Sequence, residues 1–106
     1  MFLDVIQWIV LGLVASFIAS KIVNRRGEGI ALNNLGVAYK NLGDMRRAVE
    51  FHERRLVLAG EIGDRDGEGS SAFNLALALD ALGHRDRAAP YAARALAVFQ
   101  AIESPH

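Results

Sequence analysis

The chain has 106 residues, with 12 basic and 12 acidic side chains and no formal net charge at neutral pH. Its length predicts about one small domain, and the balanced charge argues against a nucleic-acid-binding protein, which usually carries a basic excess. Cysteine is absent, which excludes a disulfide framework, a cysteine-based zinc site and a thiol nucleophile.

The first segment is strongly apolar. No charged residue occurs from Val5 to Ser20, and a helix continuing to Val23 would be about 29 Å long, close to the roughly 30 Å of a bilayer core. Lys21, Arg25 and Arg26 follow the apolar run, and the positive-inside rule therefore places the later residues in the cytoplasm. We expect residues 1–24 to form a transmembrane anchor helix that contacts lipid through residues 3–23. A buried helix of a soluble protein is the alternative.

This segment also resembles a known membrane helix. The sequence WIVLGL, the small residues after it and the RRGEG that follows resemble the first helix of bacterial transglycosylase-associated, or stress-response, membrane proteins over residues 2–30. The resemblance implies an alternative function. The protein would then be a small stress-associated membrane protein, and the residues after 30 would be a passenger.

The remainder of the chain is an internal repeat, in which residues 27–66 align with residues 67–106. Thirteen aligned pairs are identical, and they include Gly27/Gly67, Glu28/Glu68, Asn34/Asn74, Leu35/Leu75, Gly43/Gly83 and Ala48/Ala88. We place a basic, glycine-containing linker at 25–29, repeat 1 at 30–64 and repeat 2 at 65–106. The two copies are offset by 40 residues, and a repeat of this length is typical of a solenoid built from stacked supersecondary units.

Apolar residues at helical spacing predict two helices in each repeat. We expect these at about 30–42 and from the residue after Asp44 to about 62 in repeat 1, and at about 70–82 and 85–103 in repeat 2. Gly43 suits the left-handed position after a helix, Asp44 can cap the helix that follows, and the glycines of residues 63–69 break the chain again. The predicted fold is all-α: a hydrophobic N-terminal helix followed by two helix-turn-helix repeats, a fragment of an α-solenoid.

The pattern Leu-Gly-x-x-Tyr at 35–39, followed by Ala48 and Phe51, resembles the tetratricopeptide repeat. The spacing between the two copies and the phrases GEGIALNNLG and EIGDRDGEG are similar to its long-helix, kinesin-light-chain-like variety over residues 27–106. The resemblance implies a non-catalytic module that binds protein or peptide partners. Arg55 stands where the family usually has alanine, and we expect its stem to pack while its head stays in solvent.

Short matches to catalytic or ligand motifs lack the residues that the chemistry needs. Residues 67–72 fit G-x-G-x-x-A, but a helix and not a strand precedes them. Residues 64–69 match half of a calcium loop, whose glutamate is replaced by Leu75. His52 and Glu53 begin like a zinc-protease motif, but Leu56 occupies the position of the second histidine. We therefore predict no enzyme, cofactor site, metal site or nucleic-acid partner.

The first helix of each repeat is the predicted binding surface, because solenoids present such helices on a concave face. The candidate peptide-binding residues are Asn33, Asn34, Val37, Lys40, Asn41, Phe73, Asn74 and Leu77. A carboxamide can donate and accept hydrogen bonds at once, as a peptide backbone requires. The family resemblance implies that Asn34 and Asn74 contact the peptide; the alternative is that both hydrogen-bond within the array.

The last predicted helix is apolar on more than one side, although a terminal helix of a solenoid normally has a polar outer face. We expect another copy, a partner or further repeats to cover it, so the chain is a candidate homo-oligomer or a fragment of a larger array. The leading hypothesis is a membrane-anchored interaction module with its repeats on the cytoplasmic side.

Overall fold

The computed structural model describes residues 2–103, with the side chains at 4–16, 18 and 24–103. Within these residues the helices are α1 (Phe2–Asn41), α2 (Met45–Ile62), α3 (Arg65–Ala81) and α4 (Arg85–Glu103). Each helix packs against the next one in the chain, and α1 also touches α3. The all-α prediction is confirmed, and the arrangement of paired helices is that of a solenoid fragment.

Local residues explain where the helices end. The glycines at 43, 63 and 83 have φ angles of 84°, 72° and 84°, a left-handed conformation that disfavours residues with a Cβ atom. Asp44 and Asp64 each follow one of these glycines. Their Oδ1 atoms accept hydrogen bonds from the backbone N–H three residues on, at 3.1 Å and 3.0 Å. The predicted stop at Gly43 and the predicted cap at Asp44 are both confirmed.

One predicted break in the chain is absent and another is shorter than predicted. The expected linker at 25–29 lies inside α1, which therefore joins the proposed anchor to repeat 1 as one 40-residue helix. The second break is confined to Gly63 and Asp64, since α3 begins at Arg65. A helical glycine costs only about 1 kcal/mol. At Gly69 it allows a close approach, because a Cβ atom there would lie 2.9 Å from the Phe99 ring.

The core is centred on α3, which lies between α2 and α4. Ser71, Ala72, Leu75 and Leu79 have no solvent exposure, and the last three belong to one apolar cluster that also includes Leu56 of α2. Repeat 1 and repeat 2 therefore share a continuous apolar core, as the stacking of two helix pairs requires.

The N-terminal half of α1 extends beyond the repeats. Its described side chains, at 4–16 and 18, are all exposed. Among the residues that the structure describes, no helix has an apolar stretch long enough to span a bilayer, so the predicted transmembrane helix is unsupported. Within the predicted lipid-contacting range 3–23, the side chains at 3, 17 and 19–23 lie outside the described residues.

Candidate peptide-binding face

The eight candidate residues lie on the first helix of each repeat, and we call them the first-helix face. Five are on α1, at 33, 34, 37, 40 and 41, and three are on α3, at 73, 74 and 77. Spacings of three and four residues place each set along one side of its helix. The three positions on α3 are the equivalents of Asn33, Asn34 and Val37 on α1.

Most of this face is accessible to a partner. Asn34, Lys40 and Asn41 are exposed on α1, where Val37 is 40% exposed. On α3, Phe73 is 50% exposed and Leu77 is 44% exposed. Large apolar side chains with this much exposure, on one side of a helix, are a natural contact for an apolar partner surface.

The two equivalent asparagines have unused hydrogen-bonding capacity. Asn34 is exposed and Asn74 is half-buried. In the described part of the chain, neither carboxamide makes a hydrogen bond. The alternative that both amides bond within the array is therefore not what the structure shows. Each amide keeps its donors and its acceptor available for a ligand.

Asn33 has a different environment from the rest of the face. Its Oδ1 atom is buried and has no hydrogen-bond partner, and the same is true of His52 Nδ1 on α2. One turn after Asn33, Gly36 lies against the His52 ring, so closely that a Cβ atom at Gly36 would stand 2.6 Å from His52 Cε1. Burial lowers the pKa of His52, and the positive charges of Arg55 and Lys40 lower it further. Asn33 therefore belongs to the helix packing as much as to the exposed face.

Phe73 and Leu77 line one groove between α3 and α4, with a volume of about 340 Å³. Its floor includes Ala76 and Ala88, and at its rim Arg85 Nε lies 3.2 Å from Asp80 Oδ1. Sequence reasoning placed Phe73 and Leu77 on the face but missed the residues from α4. Asp80 of α3 was also missed, although it follows Leu77 by three positions and is the equivalent of the predicted Lys40.

Arg55 does not behave as predicted. Its head is partly buried, and its Nη1 atom donates a hydrogen bond to Ser71 Oγ at 3.1 Å and to the carbonyl oxygen of Gly67 at 3.5 Å. Ser71 is fully buried, so the guanidinium provides the partner that its hydroxyl needs. Arg55 thus connects α2 to α3 across the boundary between the repeats.

No group of three or more histidine, aspartate or glutamate side chains in the described part of the chain is placed to hold a metal ion. The chemistry available on the first-helix face is therefore hydrogen bonding by carboxamides, one ammonium group and apolar contact.

The family model of the tetratricopeptide repeat matches residues 27–101, which begin inside α1 and include repeat 1 and repeat 2 as far as Ala101. None of the curated proteins matches the chain.

Proposed function

This chain belongs to the tetratricopeptide repeat family, and we propose that it is a protein-interaction module whose first-helix face binds an extended peptide. Repeats of this family generally mediate binding to protein partners. The observation that carries the proposal is the pair Asn34 and Asn74, which occupy equivalent positions and make no hydrogen bond within the described chain. Exposed apolar side chains lie beside both of them.

The groups on this face suit different parts of a peptide. A peptide backbone offers one donor and one acceptor per residue, which a carboxamide can match. Each hydrogen bond makes a net contribution of about 0.5–1.5 kcal/mol to the free energy of binding, whereas burial of one large apolar side chain contributes about 1.5–3 kcal/mol. The groove lined by Phe73 and Leu77 therefore supplies more of the affinity, and the asparagines supply orientation.

Charge sets the direction in which the peptide lies. On α3, Asp80 is paired with Arg85. At the equivalent position on α1, Lys40 makes no ion pair among the described residues. An acidic group of the peptide is therefore attracted towards Lys40, while an apolar side chain enters the groove on α3. The partner that fits best is an extended segment with an acidic residue and, further along, a large apolar residue.

Binding to an array of short synthetic peptides tests this function. The variant that combines Asn34→Ala with Asn74→Ala removes two amides, and we expect the strongest peptides to bind it about 5- to 150-fold more weakly. Asn24→Ala is the matched control, because Asn24 is an exposed asparagine on α1 outside the face. Equal binding by the double variant and the wild-type chain would show that Asn34 and Asn74 do not contribute to peptide affinity.

Membrane attachment through residues 3–23 is a separate proposal. It rests on the nine large apolar side chains between Val5 and Ile18 that are 41% to 74% exposed. They surround the helix, and a helix that is apolar on all sides is normally buried in protein or in lipid. The basic residues at 21, 25 and 26 then favour a cytoplasmic location for the repeats.

Alkaline extraction of cell membranes tests this location. We expect the full chain to stay in the membrane pellet and a variant with glutamate at Ile9 and Leu13 to be released, since both side chains are more than half exposed. Release of the wild-type chain would refute the attachment. Deletion of residues 31–106 distinguishes the alternative function, because a stress-associated membrane protein would keep its phenotype without the repeats.

A further inference from the structure

The packing of repeat 2 on repeat 1 forms a joint whose two sides can be defined. On α3, one stripe of small and apolar residues is buried, and it starts at Gly67 and Ser71, which accept hydrogen bonds from Arg55 of α2. We call it the α3 stripe, and it consists of Gly67, Ser71, Leu75 and Ala78. On α2, Val49 and Leu56 belong to the same apolar cluster as Leu75 and Ala78, and they are 8% and 5% exposed.

On α4, the surface equivalent to the α2 side of this joint has no helix packed on it among the residues that the structure describes. The equivalents of Val49 and Leu56 are Ala89 and Leu96, and both are exposed on α4, as is Ala92 between them. Leu96 is 58% exposed although Leu56, the same residue type at the same repeat position, is 5% exposed. We call Ala89, Ala92 and Leu96 the trailing groove. Its first two residues also line the groove of Phe73 and Leu77, so a docked copy and the apolar side chain of a bound peptide would exclude each other.

The surface equivalent to the α3 side of the joint lies on α1 of repeat 1, and it is also exposed. The equivalents of the α3 stripe lie on α1, and we call them the leading stripe: Gly27, Ala31, Leu35 and Ala38. All four are exposed, and Leu35 is 42% exposed where its equivalent Leu75 has no exposure. One chain therefore carries both complementary halves of a joint that it already forms once internally.

We infer that the leading stripe of a second copy of this chain docks in the trailing groove, so that the internal joint is repeated between copies. The polar contact at the internal joint supports this occupant. There, the Arg55 guanidinium meets the Ser71 hydroxyl. At the joint between copies, the equivalent positions are Ala95, which is 3% exposed within its own chain, and Ala31, which is exposed. Because α4 has no guanidinium at that position, the alanine on α1 leaves no hydroxyl without a partner there.

One internal contact has no counterpart between copies. Arg87 Nη2 of α4 lies 3.7 Å from Glu53 Oε1 of α2, whereas the equivalent positions are Arg47 and Ala93. Both members of the internal pair are about half exposed, and ion pairs of this kind contribute little to association. The stability of the interface therefore depends on apolar contacts between the leading stripe and the trailing groove. Because different surfaces of the two copies meet, the contact is heterologous and extends from copy to copy unless it closes into a ring.

Sedimentation velocity of the full chain in detergent micelles, over a range of protein concentrations, tests the inference. We expect the wild-type chain to form dimers and larger species as its concentration rises. Leu96→Glu damages only the trailing groove and Leu35→Glu only the leading stripe. Each variant should have a self-association constant at least about tenfold weaker than the wild type, because a charge would be buried against apolar groups. Both positions are exposed within one chain, so the helical circular dichroism should be unchanged.

Mixing the two variants is the decisive measurement. Each retains one intact half of the joint, so an equimolar mixture should form dimers and nothing larger. Val57→Glu is the matched control, since Val57 is 62% exposed on α2 and belongs to neither half; it should assemble like the wild type. A wild-type chain that stays monomeric, single variants that assemble normally, or a mixture without dimers would each overturn the inference. Association through the apolar half of α1 would persist in every variant, and is thereby distinguished.

Discussion

Replacing Gly36 by alanine tests how closely α1 approaches α2. The new Cβ atom would lie 2.6 Å from His52 Cε1 and 2.7 Å from its Nε2, and the ring cannot move freely because His52 is 2% exposed. Overpacking of this kind costs about 1–3 kcal/mol, while replacing a helical glycine gains about 1 kcal/mol. For Gly36→Ala we therefore expect a net change between none and a loss of about 2 kcal/mol in the free energy of unfolding.

A second glycine provides the matched control. Gly60 lies in α2, and its Cβ position has no atom within 4 Å, so Gly60→Ala should gain about 1 kcal/mol from helix propensity alone. His52→Ala removes the ring that Gly36→Ala would strike. In that background Gly36→Ala should also be stabilising, and the double-mutant cycle should give a coupling free energy of about 1–3 kcal/mol between the two sites.

Urea denaturation followed by circular dichroism at the helix band measures all four variants. The reasoning fails if Gly36→Ala stabilises the protein as much as Gly60→Ala does, or if its effect is the same with and without the His52 ring. Either result would mean that the glycine is not required for the close packing of the two helices.

Two further predictions concern buried polar groups. Burial, with the charges of Arg55 and Lys40, lowers the pKa of His52 below its ordinary value of 6.5, so the unfolded chain binds a proton more readily than the folded one. The free energy of unfolding should be fully retained above pH 6.5 and should fall as the pH drops below it; His52→Ala should lack this part of the pH dependence in denaturant titrations. Arg55→Ala leaves the buried Ser71 hydroxyl without its partner and should lower the free energy of unfolding, measured by thermal denaturation, by about 1–3 kcal/mol. Arg54→Ala removes an exposed ion pair and should change the free energy of unfolding by less than about 1 kcal/mol. Equal effects of the two arginine substitutions would contradict the role given to Arg55.

The sequence was sufficient to predict the elements whose ends depend on adjacent residues. The helix predicted to follow the Asp44 cap and to end at about 62 corresponds to α2, and the one predicted at 85–103 has the bounds of α4. A left-handed glycine and a capping aspartate act within one turn of the helix end, so their effect can be deduced without knowledge of the fold. The internal alignment of residues 27–66 with 67–106 likewise indicated the paired-helix repeat, and the family match to residues 27–101 supports it.

Glycines inside helices and the head of Arg55 could not be interpreted from sequence. Residues 25–29 and 65–69 look like breaks, yet both are helical, because what a glycine does depends on the group that packs against it. Gly69 faces the Phe99 ring, which belongs to a different helix, α4. The guanidinium of Arg55 donates a hydrogen bond to Ser71 on α3. This contact also depends on a residue of another helix, so it could not be predicted from the neighbours of Arg55 in the sequence.

The clearest division between sequence and structure lies at Leu56 and Leu96. They are the same residue at the same repeat position, and the sequence alone establishes that both lie on the second helix of a repeat. Only the packing of α3 makes one a core residue at 5% exposure and the other a surface residue at 58%. Burial is a property of the neighbour as well as of the side chain, since apolar surface leaves water only when a second surface covers it.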